Sequence, residues 1–400
     1  MKLMYLTFQE DAPLYMGVKN KIEGQISAFE KLGYQVTCSM WRGNSFQFFG
    51  ADQFAQTIDP SKGKMKQFTQ IADHYLEKHS FDTLYLRLDR ISFDMIQLCK
   101  TAREHNAKTI VVEIPNFPYI TDYIRNVKYA KTLKSRVITA AKVAVSVAAD
   151  RISGLSLKKY VDAVVLYGNR AETFFGVKVM NGDNGVNIDL IPPVPHCSDT
   201  SRDIVLLGVA GTLWWQGYDR VLQGMSSYKK NISPGKPNLK FVLVGGDATE
   251  MPEFHALVDR LGLTEDVTCC GFKKGRELEE IYRTVDIGVS SLGCYRRGLN
   301  YCSSLKAREY CAAALPFLYA YEDAKVNEDT PFALKFPNDA SPIDMNAVVD
   351  FVQHCRSDPS IAKQERIFAE QNYDWKIIMS QVLNFAASKQ KQIDKSLEVK

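Results

Sequence analysis

Short apolar runs alternate with amphipathic stretches along this chain, beginning at its first residues. Lys2–Phe8 reads as a buried strand. Beyond a loop containing Gly17, a helix led by Lys19 and Lys21 places Ile22, Ile26, Phe29 and Leu32 on one face. Gly33 closes that helix before the strand-like run Tyr34–Cys38. Strand, loop, helix, strand is the opening unit of a parallel α/β sheet. The pattern continues with a helix at Phe68–His79, a strand at Thr83–Arg87, a helix at Phe93–His105 and a strand at Thr109–Ile114. Val161–Tyr167 reads as another strand, followed by a helix around Ala171–Phe175. Pro192, Pro193 and Pro195 form a stiff connector that continues neither a sheet nor a helix. A second series follows, with strands at Ile204–Ala210, Leu239–Val244, Val267–Cys270 and Val285–Ser290 and helices at Phe254–Leu261 and Glu277–Arg283. Each of these strands ends in glycine or a small polar residue. The pattern predicts an α/β fold of two domains, 1–195 and 196–375. A closing amphipathic helix lies within 376–400, with a tail that frays from Ser388.

The stretch from Arg296 to Pro316 concentrates the chemistry. Ser303 and Ser304 stand where a helix would begin, Leu305 and the alanines after it continue it for about three turns, and Pro316 stops it before the apolar run Phe317–Tyr321. Arg296, Arg297, Lys306 and Arg308 crowd the start of that helix, where the dipole is already positive. A bound phosphate or diphosphate would relieve the repulsion. Glu309 lies three residues beyond Lys306, on a neighbouring part of the same face, and could accept hydrogen bonds from sugar hydroxyls. The arrangement suits a nucleotide, with diphosphate at the cap and ribose on Glu309. A solvated Lys–Glu pair on a surface helix fits the residue types equally well. In the first domain, strand-end groups tend to line a ligand crevice. Arg87 beside Asp89, then Glu113 and Asn116 before the aromatic, proline-rich crest ending at Tyr119, are therefore candidates for substrate contact or catalysis, against a purely structural role.

Composition narrows the class. In 400 residues, 46% hydrophobic and 24% charged content is that of an ordinary globular protein. Nine cysteines without a CxxC motif, and six scattered histidines, point to thiols in a reducing cytosol and to no metal site. The N-terminal run reads as a strand and not as a signal peptide, and no segment reaches the apolar length of a membrane span. The net charge of +4 conceals a basic excess between Arg125 and Lys159, where nine Lys/Arg accompany a single acid, Asp150. Within that segment Val137–Ala149 carries one charge, Lys142. The segment reads either as an interfacial helix, with Lys128, Lys131, Lys134 and Arg136 near anionic headgroups, or as an internal helix packed on the sheet. Recognised nucleic-acid motifs and interleaved stacking aromatics are absent, so no nucleic-acid partner is expected.

Several stretches resemble the retaining, nucleotide-sugar-dependent glycosyltransferases of the GT-B fold, glycosyltransferase family 4. They are Asn184-Gly185-Val186-Asn187 before the connector, Gly217-Tyr218-Asp219-Arg220 opening a helix, Val244-Gly245-Gly246-Asp247, Gly271-Phe272, and the run Ser303–Tyr310 with Leu315-Pro316. The segments around Gly17 and from Glu113 to Tyr119 look like the bacterial surface-polysaccharide branch of that family. The resemblance covers essentially the whole chain and implies two Rossmann-like domains facing across a cleft. The second would hold a nucleotide sugar, most simply a UDP-sugar, as co-substrate without a cofactor. The first would hold a lipid-linked or glycan acceptor, with Arg87 and Tyr119 on that side, and the last helix would cross back onto it. Carried over, Ser303, Ser304, Leu305 and Lys306 would bind diphosphate and Glu309 the ribose. Gly271, Phe272 and Lys273 would border the base, and Gly17 would meet the phosphates. Gly211, Thr212 and Gln216 would line the strand-end loop. Two positions depart from the family pattern. Tyr301 replaces a Glu often found eight positions before the helix Glu, and Thr212 and Gln216 stand where Arg and Lys are usual. Arg296, Arg297 and Lys306 are the available substitute cations. The implied activity is metal-independent, retaining hexosyl transfer at the inner face of the cell membrane, with no enzyme nucleophile required. A sugar-nucleotide epimerase of the same fold and a non-catalytic nucleotide-sugar-binding partner are the alternatives.

Overall fold

A computed structural model describes residues 1–12, 15–51, 53–59, 61–120, 124, 127, 132–210, 215–246 and 252–398, from 389 onward as backbone alone. The chain forms two compact units, Met1–Asp183 with Trp375–Lys400, and Asn184–Asp374. The division falls before the proline connector because that connector packs on the second unit. Val186 N–H donates to the Tyr373 carbonyl at 2.7 Å and Val194 N–H to the Ala313 carbonyl at 2.8 Å.

The first unit contains strands β1 (Lys2–Thr7), β2 (Gln35–Arg42), β3 (Ser45–Gly50), β4 (Phe54–Thr57), β5 (Thr83–Arg87), β6 (Thr109–Phe117), β7 (Ala163–Gly168), β8 (Thr173–Phe174) and β9 (Val177–Asn181). They form one sheet in the order β4-β3-β2-β1-β5-β6-β7-β9-β8. The inner strands are parallel and largely apolar, as strands buried on both faces tend to be, with the charged Arg87 and Glu113 as exceptions on β5 and β6. Helices α1 (Met16–Lys31), α2 (Lys64–Lys78), α3 (Phe93–Glu104), α4 (Leu133–Gly154) and α5 (Leu157–Tyr160) accompany them. The helix expected around Ala171–Phe175 is instead the first arm of a hairpin. Thr173 and Phe174 pair with Lys178 and Val177. Phe175 and Gly176 make the turn at φ 47° and 75°, the positive values that two-residue hairpin loops demand.

The second unit contains β10 (Ile204–Val209), β11 (Leu239–Val244), β12 (Val267–Cys269), β13 (Ile287–Val289), β14 (Phe317–Tyr319) and β15 (Ala333–Lys335). Its helices are α6 (Tyr218–Asn231), α7 (Pro252–Arg260), α8 (Arg276–Tyr282), α9 (Leu305–Ala312), α10 (Met345–Ser357) and α11 (Pro359–Asn372). All six strands are parallel in the order β12-β11-β10-β13-β14-β15. That is the doubly wound order in which the winding direction reverses between the two central strands, here β10 and β13.

The closing helix α12 (Trp375–Glu398) is longer than the sequence pattern suggested and returns to the first unit, packing on α1. Its Trp375 ring lies against Gly24, where an added Cβ would sit 2.4 Å from the indole. Glycine at that position is what lets the two helices approach.

Candidate functional site

In a doubly wound sheet the loops leaving the two central strands diverge and open a ligand crevice between their carboxyl ends. In the second unit those loops lead from β10 into α6 and from β13 towards α9. They are joined at Leu292, whose N–H donates to the Gln216 carbonyl at 2.7 Å. Gly217 caps α6 at φ 76°, and a side chain there would reach the Leu292 backbone at 2.6 Å, so only glycine fits. Arg220, fully buried, fastens the surrounding loops by donating to the carbonyls of Ser341 (2.6 Å), Pro337 (3.0 Å) and Leu292. The Gly217–Arg220 motif is thus a structural clamp on the crevice wall. Below it, Gly288 lets α9 settle on β13, since a Cβ there would meet the Tyr310 ring at 2.4 Å.

The four cations expected at the start of α9 do not act alike. Arg308 is wholly buried, ion-paired with Asp323 at 2.7 Å, and its guanidinium lies 4.1 Å from the Tyr373 ring centroid. Arg296 is held by both carboxylate oxygens of Asp219, at 3.0 and 2.7 Å, and by the Tyr295 hydroxyl at 2.8 Å. These acids neutralise two of the charges, which corrects the expectation of a cap crowded with uncompensated positive charge. Arg297 lies over the Trp215 ring at 5.3 Å. Lys306 turns into the crevice, where its ammonium donates to the Gln216 side-chain carbonyl and to the Tyr218 hydroxyl at 3.3 Å. Ser291 donates to the same Gln216 oxygen at 3.3 Å.

The serines also behave differently from expectation. Ser304, at the N-cap of α9, makes no side-chain cap hydrogen bond. The Ser303 hydroxyl instead accepts from the Asn184 N–H at 2.7 Å and from Arg308 at 3.1 Å, while the Asn184 side chain donates to the Ser303 carbonyl. The helix is two turns long, Leu305–Ala312, and its first turn carries no acid.

Lys306 and Glu309 share one face of α9, both largely desolvated. Burial lowers the Lys306 ammonium to about 7, partly opposed by the Cys294 and Cys302 thiols and by Glu309. Burial raises the Glu309 carboxyl to about 7, opposed by Lys306. A crevice holding a cation and a carboxyl that both titrate near neutrality is the arrangement perturbed sites favour. It offers a donor to an anion and an acceptor to a hydroxyl. At its margin Gly271 adopts φ 66° and accepts from the Gly245 N–H at 2.8 Å, Phe272 is 54% exposed, and Lys273 pairs with Glu277 at 2.8 Å. Gly211 and Thr212 lie outside the described residues, as does Asp247 of the glycine-ended β11 turn. Tyr218, Asp219, Asp323 and Asn184 enter the site's framework without having been singled out as site residues. Tyr218, Asp219 and Asn184 are distant in sequence from α9, Asp323 lies beyond the next strand, and none carries a local signal of its partner.

In the first unit the register sets Arg87 directly across from Glu113. Glu113 is fully buried, and its oxygens receive Lys21 at 3.0 Å, Arg87 at 3.1 Å, Gln25 at 2.9 Å and the Tyr85 hydroxyl. Burial alone would raise its carboxyl, yet Lys21 and Arg87 hold it below the usual carboxylate range. Burial in turn draws Lys21 down to about 8, with its ammonium 3.2 Å from the Tyr167 ring centroid. Glu113, a catalytic candidate in the sequence, thus sits in a buried network of four donors. Arg87 is likewise buried. Asn116 is exposed on β6 and Tyr119 is half-buried beyond it. Gly17 stands in the first turn of α1, with open space where a side chain would be. Among the described residues no cluster of three or more His, Cys, Asp or Glu could hold a metal ion.

No protein-family model matches this sequence, and no curated protein sequence matches it significantly. Solved structures do match over the whole chain. Sucrose-phosphate synthase from Thermosynechococcus elongatus aligns at TM-score 0.59 and 14% identity, over 99% of this chain and 100% of that one. Anabaena HepE in complex with UDP-glucose aligns at TM-score 0.59 and 15% identity, over 97% and 100%. WaaG, a glycosyltransferase involved in lipopolysaccharide biosynthesis, aligns at TM-score 0.55 and 13% identity, over 95% and 98%. These matches run over both units of the chain, and the chain therefore has the fold of the GT-B glycosyltransferases.

Proposed function

We propose that this protein is a retaining, metal-independent glycosyltransferase. It would move a hexosyl group from a UDP-sugar to a lipid-linked or polysaccharide acceptor in bacterial surface glycan synthesis, at the inner face of the cell membrane. One observation carries the reading: Lys306 and Glu309 stand together on α9, which follows a central strand of the doubly wound sheet. Donor chemistry of this kind is consistent with the fold, and the neighbour HepE was solved with UDP and with UDP-glucose.

In this reading Lys306 and the first-turn N–H groups of α9 bind the diphosphate and offset the charge that grows on it as the glycosidic bond breaks. Glu309, as carboxylate, accepts hydrogen bonds from the ribose hydroxyls. Phe272 offers an exposed aromatic face at the base. The Arg296–Asp219 pair fixes the loop before α9, and Arg297 supplies the second cation near the diphosphate. The acceptor hydroxyl attacks from the face the diphosphate leaves, so the sugar keeps its anomeric configuration. Gln216, standing where the family usually has a lysine, orients the Lys306 ammonium.

Incubating the protein with radiolabelled UDP-sugars and a bacterial membrane lipid extract tests this reading. Label in the lipid fraction, absent with Lys306→Ala, is the expected result. Interconversion of the sugar without any acceptor would replace the reading with an epimerase. Donor binding without turnover of any kind would replace it with a non-catalytic partner.

A further inference from the structure

Helix α4 is built inside out. In a surface helix the apolar stripe faces the core and the polar residues face water. Here the face turned to the domain carries Asp150, Ser153 and Gly154, all buried, and Gly154 lies so near the Phe175 ring that a Cβ would come within 2.4 Å of it. The opposite face carries Leu133, Val137, Ala141, Val145, Ala148 and Ile152, recurring every three or four residues, and every one of them is exposed. Leu133 is 79% accessible and Val145 70%, and Leu155, the residue that caps the helix, is 73% accessible. A continuous exposed apolar stripe of that length marks a contact surface.

The charges say what the contact is with. Four cations, Lys134, Arg136, Lys142 and Arg151, are exposed on the helix, and its only acid, Asp150, is buried. Lys134 and Arg151 lie beside the apolar stripe and Lys142 and Arg136 further round the helix, with no exposed carboxylate on the helix to repel an anionic surface. No helix among the described residues is long and apolar enough to cross a membrane. We infer that α4 lies in the plane of an anionic lipid surface, its apolar stripe among the acyl chains and its basic side chains at the headgroups. The exposure pattern names the helix, its face and its charge requirement, which the basic composition of the segment had left open between an interfacial and an internal helix. Arg125, Lys128 and Lys131 of that segment lie outside the described residues. The inference rests on the proposed membrane-borne acceptor for its purpose, but the test below does not depend on it.

Co-sedimentation of the full chain with vesicles, alongside light scattering of the free protein, decides the matter. Binding is expected to vesicles of phosphatidylglycerol in phosphatidylcholine and to be at least tenfold weaker to phosphatidylcholine alone. Val145→Glu is expected to abolish the binding, and each of Lys142→Gln and Arg151→Gln to weaken it about fivefold, while UDP binding is unchanged in all three. Equal binding to both vesicle types, or full binding by Val145→Glu, would overturn the inference. So would a dimer that Val145→Glu converts to monomer, since the stripe would then be covered by a second copy. If the vesicle results hold while no sugar is ever transferred, the membrane contact stands and the transferase reading falls.

Discussion

Lys306 and Glu309 give the candidate site a pH signature. As pH rises through about 7, Lys306 loses its charge and Glu309 gains one, because burial has brought both groups to that value. Loss of the Lys306 charge takes a cation from the diphosphate, whereas ionisation of Glu309 supplies the carboxylate that accepts from the ribose. UDP affinity measured by calorimetry should therefore peak near about pH 7 and fall above it, by up to roughly tenfold per unit. Lys306→Arg, which stays charged, should remove the alkaline fall, and a wild-type affinity that keeps rising well above about pH 7 would contradict the assignment. Glu365 makes a separate case. It is fully buried on α11, and neither carboxylate oxygen has a hydrogen-bond partner among the described residues. Burial raises it well above 4.5, so the folded protein holds a proton that the unfolded chain releases, and stability declines as pH rises above about 4.5. Glu365→Leu should remove that decline and add about 1–3 kcal/mol near neutral pH, read from urea unfolding. A loss of stability instead would mean the carboxylate is compensated. The Lys306–Glu309 spacing was legible in the sequence because both lie on one helix. That Asp219 and Asp323 neutralise Arg296 and Arg308 was not, since Asp219 lies 77 residues away and Asp323, though nearer, follows an intervening strand.

At the scale of elements, periodicity and glycine carried most of the information. The central strands of the second sheet are apolar, and the glycines at and just beyond strand ends, such as Gly217 and Gly245, marked the loops that position the site. The β8–β9 hairpin was misread as a helix because its turn uses Phe175 at positive φ, where composition gives no warning. The orientation of α4 was equally hidden, because its apolar stripe is there in either case and only packing reveals that it faces outward. The anchoring of α9 yields its own prediction. Asp323→Ala removes the carboxylate that pairs with the buried Arg308 guanidinium. It should destabilise the protein by about 3–5 kcal/mol, read as a lowered unfolding midpoint. A change within about 0.5 kcal/mol would show that water replaces the carboxylate.

For the molecule as a whole, the shared fold supplies the frame, and on the proposed reading the crevice at the β10–β13 reversal supplies the chemistry. If Lys306, Arg297 and the start of α9 alone offset the leaving diphosphate, transfer should survive EDTA with little change, whereas a loss restored by Mg²⁺ would assign that work to a metal. The most direct measurement is a calorimetric titration of UDP into the wild-type protein, Lys306→Ala and Glu309→Ala at matched folded concentration. The account predicts saturable binding by the wild type, and a loss of about tenfold to a hundredfold in each variant, as expected when a desolvated charged hydrogen bond is removed. Binding that is unchanged in both variants would contradict it.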